Sequence, residues 1–424
     1  MNETWRFWLT LVCFALTYVG LAVGKLPRLL IDRAGIALVG AALILTTGVL
    51  SFDEAASREC IDFKTIALLL GMMIVVAYLR LAGFFDRLAG WALARVSQPR
   101  GLLAATMLLS GMLSALLVND VVCLALAPLV LHLARRLRFD PKPHLIGLAL
   151  AANIGSTATL TGNPQNMIIG NFSHISYLRF AARLGPIAAV ALIVGFVVIA
   201  WIYRAALRPI NDPNGDQAET PDETPERPPS RAHSDLLRKS LIVTLGAVAC
   251  FFAGYPMEVV ALAAAAVLLL DRIHPRKIYH RVDWSLLVMF TGLFVVVHAF
   301  EVHVVRHWGV GEWSILQDDP VGLLSVVSVG LSNLVSNVPA VLLFKPVIPA
   351  MAPEVQETAW LALAMSSTLA GNLTVLGSVA NLIVVESARR EGVNVTFWEY
   401  ARADIPVTVL TLVVGIAWLR FVAY

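Results

Sequence analysis

Charge is scarce in this chain. Only 14% of its 424 residues are Asp, Glu, Lys or Arg, whereas a soluble domain carries roughly a quarter. That deficit excludes a soluble globular enzyme and a disordered protein. Cysteine is scarce as well: Cys13, Cys60, Cys123 and Cys250 are scattered, three of them in apolar runs and Cys60 in a polar loop, with no CxxC. Neither a disulfide framework nor a structural zinc site fits that spacing. No HExxH-like pattern occurs, so His298, His303 and His307 are expected to be solvated interface residues and no metal site is expected. The net charge of +3 is too small to indicate nucleic acid as a partner. The leader MNETWRFWLT has an acid before its single arginine and no small-residue cleavage site after the apolar run, so it reads as a retained span. What is abundant is apolar sequence. Hydrophobic residues make up 58% of the chain, in runs that recur from Trp5 to the C-terminus. The class is an all-α polytopic membrane protein, with lipid as its surroundings.

Ten runs are long enough, or nearly so, to cross a bilayer: 5–24, 33–50, 62–80, 144–171, 184–204, 238–254, 257–271, 283–300, 357–384 and 403–423. Two more, 102–135 and 319–350, are broken in the middle by polar residues. Each is too long for one span and too short for two, and each reads as a re-entrant hairpin. With the N-terminus outside and both hairpins returning to the side they left, 24 of the 32 Lys and Arg fall on the cytoplasmic side. This positive-inside bias predicts that both termini are outside and that the protein sits in the plasma (cytoplasmic, inner) membrane. Residues 212–235 contain five prolines and almost nothing apolar, as a solvated cytoplasmic linker would. Residues 79–97 resemble an amphipathic interfacial helix leading into the first hairpin, with 300–315 as a weaker counterpart.

The linker separates two repeats, 1–211 and 236–424. Asp62 pairs with Asp283 and Gly71 with Gly292 at an offset of 221. Ser114 pairs with Ser332, Asn119 with Asn337 and Pro128 with Pro346 at 218. Thr159 pairs with Thr374, Gly162 with Gly377 and Asn166 with Asn381 at 215. Each half holds five spans and a hairpin, and an odd number of spans inverts the second copy. Inverted repeats with broken helices are the architecture of secondary transporters, whose solute site lies at the midplane between the repeats. A scaffold domain and a transport domain are expected.

Polar residues break the apolar runs at four places: the hairpin tips at Asn119-Asp120 and Ser336-Asn337, and the interruptions Gly155 to Asn166 and Gly371 to Asn381. Carbonyl and Asn, Ser or Thr oxygens suit a hard cation, and half-helix N-termini attract an anion. The candidate solute and ion ligands are Asn119, Asp120, Gly155, Ser156, Thr157, Thr159, Gly162, Asn163, Asn166, Ser336, Asn337, Gly371, Asn372, Thr374, Gly377, Ser378 and Asn381. Asp120 is the only carboxylate read as lying deep in an apolar run. Burial penalises its charged form, which suits proton coupling. Direct cation ligation and capping of the second hairpin arm are the alternatives. Lys345 either snorkels to the surface or compensates an anion or Asp120. Cys123, just past the first tip, reads as a small buried hydrophobe. No enzyme signature is present: an intramembrane aspartyl protease needs a second deep aspartate, and His132 and His144 have no paired nucleophile.

The stretches GSTATLTGNPQN and VNDVVCLALAPLV resemble the ion transporter superfamily over nearly the whole chain. VNDVVCLALAPLV is most similar to the first hairpin of arsenite-efflux permeases of the ArsB type. GSTATLTGNPQN is similar to the unwound helix of divalent-anion/sodium symporters. The chain reads Val118-Asn119-Asp120 and Ser336-Asn337-Val338 where dicarboxylate symporters carry Ser-Asn-Thr. The resemblance implies elevator-like alternating access and no cofactor beyond a coupling H+ or Na+. It also admits a homodimer and a soluble ATPase partner. The expected activity is proton-coupled efflux of arsenite or antimonite, with a sodium- or proton-coupled permease for a dicarboxylate or inorganic anion as the alternative. The partner is accordingly a small inorganic or carboxylate solute.

Overall fold

The structure is a computed structural model and describes residues 3–23, 31–93, 96, 98–208, 231–271, 273–305 and 319–423. In the first half, helices run α1 (Glu3–Val23), α2 (Arg33–Thr46), α3 (Phe52–Ala55), α4 (Phe63–Leu81), α5 (Phe84–Leu93), α6 (Pro99–Leu116), α7 (Asn119–Arg136), α8 (Pro141–Ser156), α9 (Pro164–Ser173) and α10 (Tyr177–Ile202). The second half repeats the series as α11 (Arg231–Phe252), α12 (Met257–Leu269), α13 (Pro275–Tyr279), α14 (Trp284–His303), α15 (Gly322–Val335), α16 (Asn337–Leu343), α17 (Pro353–Ala370), α18 (Val379–Arg390) and α19 (Phe397–Ala423). No strand occurs among the described residues. Most of the expected linker, His307, and the greater part of 300–315 lie outside them. The last residues of the 212–235 stretch begin α11.

Local sequence sets the helix starts. Asp62 and Asp283, a repeat pair, cap α4 and α14 by accepting from backbone amides in the first turn. Proline stands in the first turn of α6, α8, α9 and α17, where its missing N–H costs nothing. The buried His144 ring lies 2.8 Å from the Asp140 carbonyl and 3.0 Å from that of Pro99, pinning the foot of α8 to α6.

Six described helices are long and apolar enough to cross a membrane: α1, α4, α6, α10, α14 and α19. Two further spans are interrupted and appear as the pairs α8/α9 and α17/α18. Helices α2 and α12 are short, with 14 and 13 residues. The two broken runs form the hairpins α6/α7 and α15/α16, and α5 lies in the expected interfacial stretch.

The two repeats are related by an exchange that maps one set of packings onto the other. Helix α4 packs on α12 as α14 packs on α2, and α7 meets α18 as α16 meets α9. The glycines show how close this is. A Cβ on Gly71 would lie 2.6 Å from the Ala261 carbonyl carbon, and one on Gly292 would lie 2.6 Å from the Ala37 carbonyl oxygen. Helices α1, α2, α4, α11, α12 and α14 form one group, and the hairpins, broken helices, α10 and α19 form the other. A few side chains join the groups. Tyr18 donates to the Pro339 carbonyl at 3.1 Å, Asn171 donates to Thr65 at 2.7 Å, and Lys345 lies 3.6 Å from Glu301.

Two side chains take their surroundings from distant parts of the chain. Lys345 compensates an anion, and that anion is Glu301 at 3.6 Å rather than Asp120; its ammonium also meets the Glu59 carbonyl at 3.4 Å and the Phe172 ring. Cys60 is buried despite its polar neighbours, because the loop folds back and its thiol faces the Phe294 carbonyl.

Replacing Gly71 or Gly292 by leucine is expected to lower thermal stability in detergent by similar amounts, each equivalent to about 1–3 kcal/mol of overpacking. A stable Gly292→Leu variant beside an unstable Gly71→Leu variant would contradict the equivalence of the two contacts.

Candidate functional site

The site is built on two helix interruptions that face each other. Between α8 and α9 the chain leaves the helix after Ser156 and re-enters at Pro164. Between α17 and α18 it leaves after Ala370, makes a short 3-10 turn at Val375–Gly377, and re-enters at Val379. Each interruption frees carbonyls that water cannot reach, and one asparagine per repeat captures them. The Asn166 amide donates to the Ser156 and Thr159 carbonyls, both at 3.0 Å. Its partner Asn381 donates to those of Gly371 at 2.7 Å and Thr374 at 3.0 Å. At the helix starts, Asn163 accepts from the Asn166 amide and Ser378 from that of Ala380. The glycines permit close approach. A Cβ on Gly155 would meet the Gly111 backbone, and one on Gly162 would meet that of Ser156. Gly371 and Gly377 are enclosed by Ser378, Asn337 and Asn333.

Asn153 joins the two breaks. Its amide nitrogen donates to Asn372 at 2.8 Å and Asn381 at 2.9 Å, while its oxygen accepts from Ser378 and Asn119, each at 3.0 Å. The equivalent residue in the second half, at the same offset of 215, is Thr368. It faces the first break, where its hydroxyl accepts from Asn163 at 3.2 Å. Each repeat therefore reaches across to the other's interruption. The first hairpin tip is tied in by the Asn119 backbone amide, which donates to the Gly162 carbonyl at 3.0 Å. The second tip meets the second break through Asn337 and Gly371.

Several buried polar atoms are left without a partner: Asn119 Oδ1 and Asn337 Oδ1, Ser114 Oγ and Ser332 Oγ, and Asn372 Nδ2. The first four form two repeat pairs. Buried polar atoms without partners are rare in folded proteins, and these five lie in or within a few residues of the hairpin tips and the second break. Ser336, at the second tip, has φ +79° and ψ 159°, a conformation side chains avoid, so this tip is held under strain. Asp120 is partly buried, and its carboxylate meets the Ala380 amide at the start of α18. Cys123 and Asp283 lie within electrostatic reach of it.

Not every predicted ligand points inward to the same degree. Thr157 donates back to the Asn153 carbonyl, and Thr159 to the Ala115 carbonyl, so both hydroxyls serve the backbone. Ser156 likewise donates to the Asn153 carbonyl at 2.8 Å. Thr374 contributes its carbonyl to Asn381. The second break is also the more open one. Leu376 is 60% exposed, whereas its counterpart Thr161 is fully buried and bonded to Tyr177.

Asn153, Thr368 and Asn333 were not among the predicted ligands: the first two precede the glycine-rich stretches by two and three residues and Asn333 precedes the second tip by three, all inside helical pattern. An amide in the otherwise apolar run LIGLALAAN was the available signal for Asn153. Asp404 was also missed. That acid is completely buried. Its position at the start of an apolar run made it look interfacial.

Inverted repeats, paired hairpins and an enclosed polar cluster where two broken helices meet are the architecture of a transporter. Sequence comparison agrees: residues 18–370 match the family described as citrate transporter. The chain belongs to the citrate transporter family. It is 32% identical to the silicon efflux transporter LSI3 of Oryza sativa subsp. japonica, covering 96% of each chain. It is 24% identical to the putative transporter arsB of Dictyostelium discoideum, over 98% of this chain and 92% of that one. The fold resembles the Alcanivorax borkumensis YdaH transporter with a TM-score of 0.60 at 15% identity, covering 99% of this chain and 97% of that one.

Asn153→Ala leaves Asn119, Ser378 and Asn372 short of partners and is expected to lower thermal stability by about 1–3 kcal/mol. Ser336→Gly relieves the positive φ and is expected to raise it by about 1 kcal/mol or more. Thermal denaturation in detergent measures both. A Ser336→Gly variant less stable than the parent would mean the tip is unstrained.

Proposed function

We propose that the protein is a proton-coupled exporter of a small neutral polyhydroxy solute, arsenous or antimonous acid foremost, with silicic acid in the same chemical class. The observation that carries this reading is the absence of a basic side chain from the site. None of the four polar breaks contains Lys, Arg or His, and the unpartnered buried groups in and beside them (Ser114, Asn119, Ser332, Asn333, Asn337 and Asn372) are amides and hydroxyls. Arsenite is largely As(OH)3 near neutral pH, so its hydroxyls need donors and acceptors rather than a cation clamp. Asn119 Oδ1 and Asn337 Oδ1 are placed to accept from such hydroxyls, and Asn372 Nδ2 to donate. The names of the relatives in rice and Dictyostelium support the same class of solute.

Asp120 binds and releases the coupling proton. Its place on the first amide turn of α18 stabilises the carboxylate once the proton has left, so both protonation states have a reason to be populated. Exchange between the two sides follows an elevator-like motion of the hairpin and broken-helix group against the α1, α2, α4, α11, α12 and α14 group. The sparse contacts between the groups support this, and so does the unequal exposure of the two breaks. The membrane is the cytoplasmic (inner) membrane, with both termini outside.

A second reading, a permease for a carboxylate or inorganic anion, is favoured by the family's description as citrate transporter and by the helix starts of α9 and α18 at the site. Everted vesicles supplied with radiolabelled arsenite under an imposed proton gradient separate the two. Gradient-dependent uptake is expected, falling to the level of vesicles without the protein in Asp120→Asn. Gradient-driven citrate, sulfate or phosphate transport with no arsenite uptake would overturn the neutral-solute reading.

A further inference from the structure

Leu160 and Thr161, in the first break, are fully buried. Leu160 packs at Gly170 of α9, beside the first residue of α12. A Cβ on Gly170 would stand 3.0 Å from Leu160 Cδ2 and 3.2 Å from Met257 Cε. The Thr161 hydroxyl lies 2.8 Å from that of Tyr177, the first residue of α10. The Tyr177 side chain is buried, and its ring rests on two phenylalanines of α11. It stacks on Phe251 at 5.6 Å between centroids and meets Phe252 edge-on at 4.8 Å. Tyr177 therefore holds the break with its hydroxyl and the other helix group with its ring.

The second repeat lacks this link. Ser176 accepts from the Arg179 amide at the start of α10, and Thr396 accepts from the Glu399 amide at the start of α19. The same offset of 220 pairs Pro186 with Pro406 and Gly195 with Gly415, so Phe397 stands where Tyr177 stands. Phe397 has no hydroxyl and is 45% exposed. Leu376, in the place of Thr161, is exposed as well and offers no hydrogen bond. Mutual satisfaction of two buried hydroxyls accounts for the bond between Thr161 and Tyr177. It does not account for the place of the ring on α11, across a boundary that few other side chains cross.

We propose that Tyr177 is a positioning residue that ties the accessibility of the first break to the place of the hairpin and broken-helix group. With the ring on Phe251 and Phe252, the hydroxyl holds Thr161 and the break is shut. When the group slides along its partner the ring loses its seat, Thr161 is released, and the first break becomes as exposed as the second is here. The proposal rests on the elevator-like motion proposed above, and its test lets the two fail separately.

Two readouts need no solute, and both use a background in which the native cysteines are replaced by alanine. Nitroxides on Asp53→Cys and Asn394→Cys report the place of the moving group by pulsed electron resonance. Asp53 is exposed on α3, which packs on α14, and Asn394 is exposed between α18 and α19. The rate at which a methanethiosulfonate modifies Ala158→Cys reports access to the first break. Phe252→Ala removes part of the seat and is expected to shift the ratio of the two distance populations by roughly tenfold, speeding modification of Ala158→Cys as it does so. Tyr177→Phe keeps the ring and loses the hydroxyl. It should leave the distances unchanged and still speed modification roughly fivefold, with Thr161→Val matching it and the double variant adding nothing. A tyrosine that only fills space would change neither readout in Tyr177→Phe. Unchanged modification in Tyr177→Phe, or unchanged distances in Phe252→Ala, would overturn the link. Asn171→Ala, which removes the contact with Thr65, tells the two failures apart. If it shifts the distances and Phe252→Ala does not, the motion stands and the role of Tyr177 falls. If no variant shifts them, the elevator-like motion falls and the link with it.

Discussion

Everything at the centre of this protein depends on how backbone carbonyls are satisfied where a helix stops in the middle of a membrane. Water is absent there, so a freed carbonyl must find a donor within the protein. Asn166 and Asn381 are those donors, each spanning two carbonyls with one amide group. Because the amides hold the backbone open, the helix starts at α9 and α18, the hairpin tips and the inward-facing Asn and Ser groups can share a small volume. Without the two asparagines those four carbonyls lose these donors.

Symmetry builds the frame, and departures from symmetry give it direction. The capping aspartates, the interhelical glycines and the carbonyl-bridging asparagines all occur in pairs. Asn153 and Thr368 are equivalent in place yet differ in chemistry. Asn153 can donate and accept at once, so it binds four partners and fixes the second break to the first hairpin. Thr368 has one hydroxyl and makes fewer and longer contacts. The acids are likewise one-sided: Asp120 stands opposite Val338, and Asp404 opposite Leu184. Two halves with the same backbone but unequal bonding at the centre can favour different sides of the membrane. That inequality is what an alternating-access cycle requires.

Much of the architecture was legible in the sequence, because the signals were local or repetitive. Span lengths, proline and aspartate at helix starts, and the colinear offsets between halves need no knowledge of tertiary contacts. The two glycine- and asparagine-rich stretches marked the breaks for the same reason, since those residue types are poor helix formers in the middle of an apolar run. The partners of Lys345 and Cys60 were not legible, because they come from residues distant in the chain. Glu301 and Phe294 meet them only after α14 has packed.

Residue pattern alone is enough to show that the chain spans a membrane, folds as two inverted repeats, and interrupts four apolar runs with polar groups that include no basic residue. Hydrophobic length and residue-by-residue repetition are properties of the chain in one dimension. Which polar groups are consumed by the backbone and which remain unpaired depends on packing. Thr157 and Thr159 resemble ligands in the sequence and are occupied by carbonyls, while Asn153 and Asp404 pass for parts of ordinary helices and are buried. The reason is that hydrogen-bond saturation depends on groups brought together across the repeats, and no spacing along the chain records it.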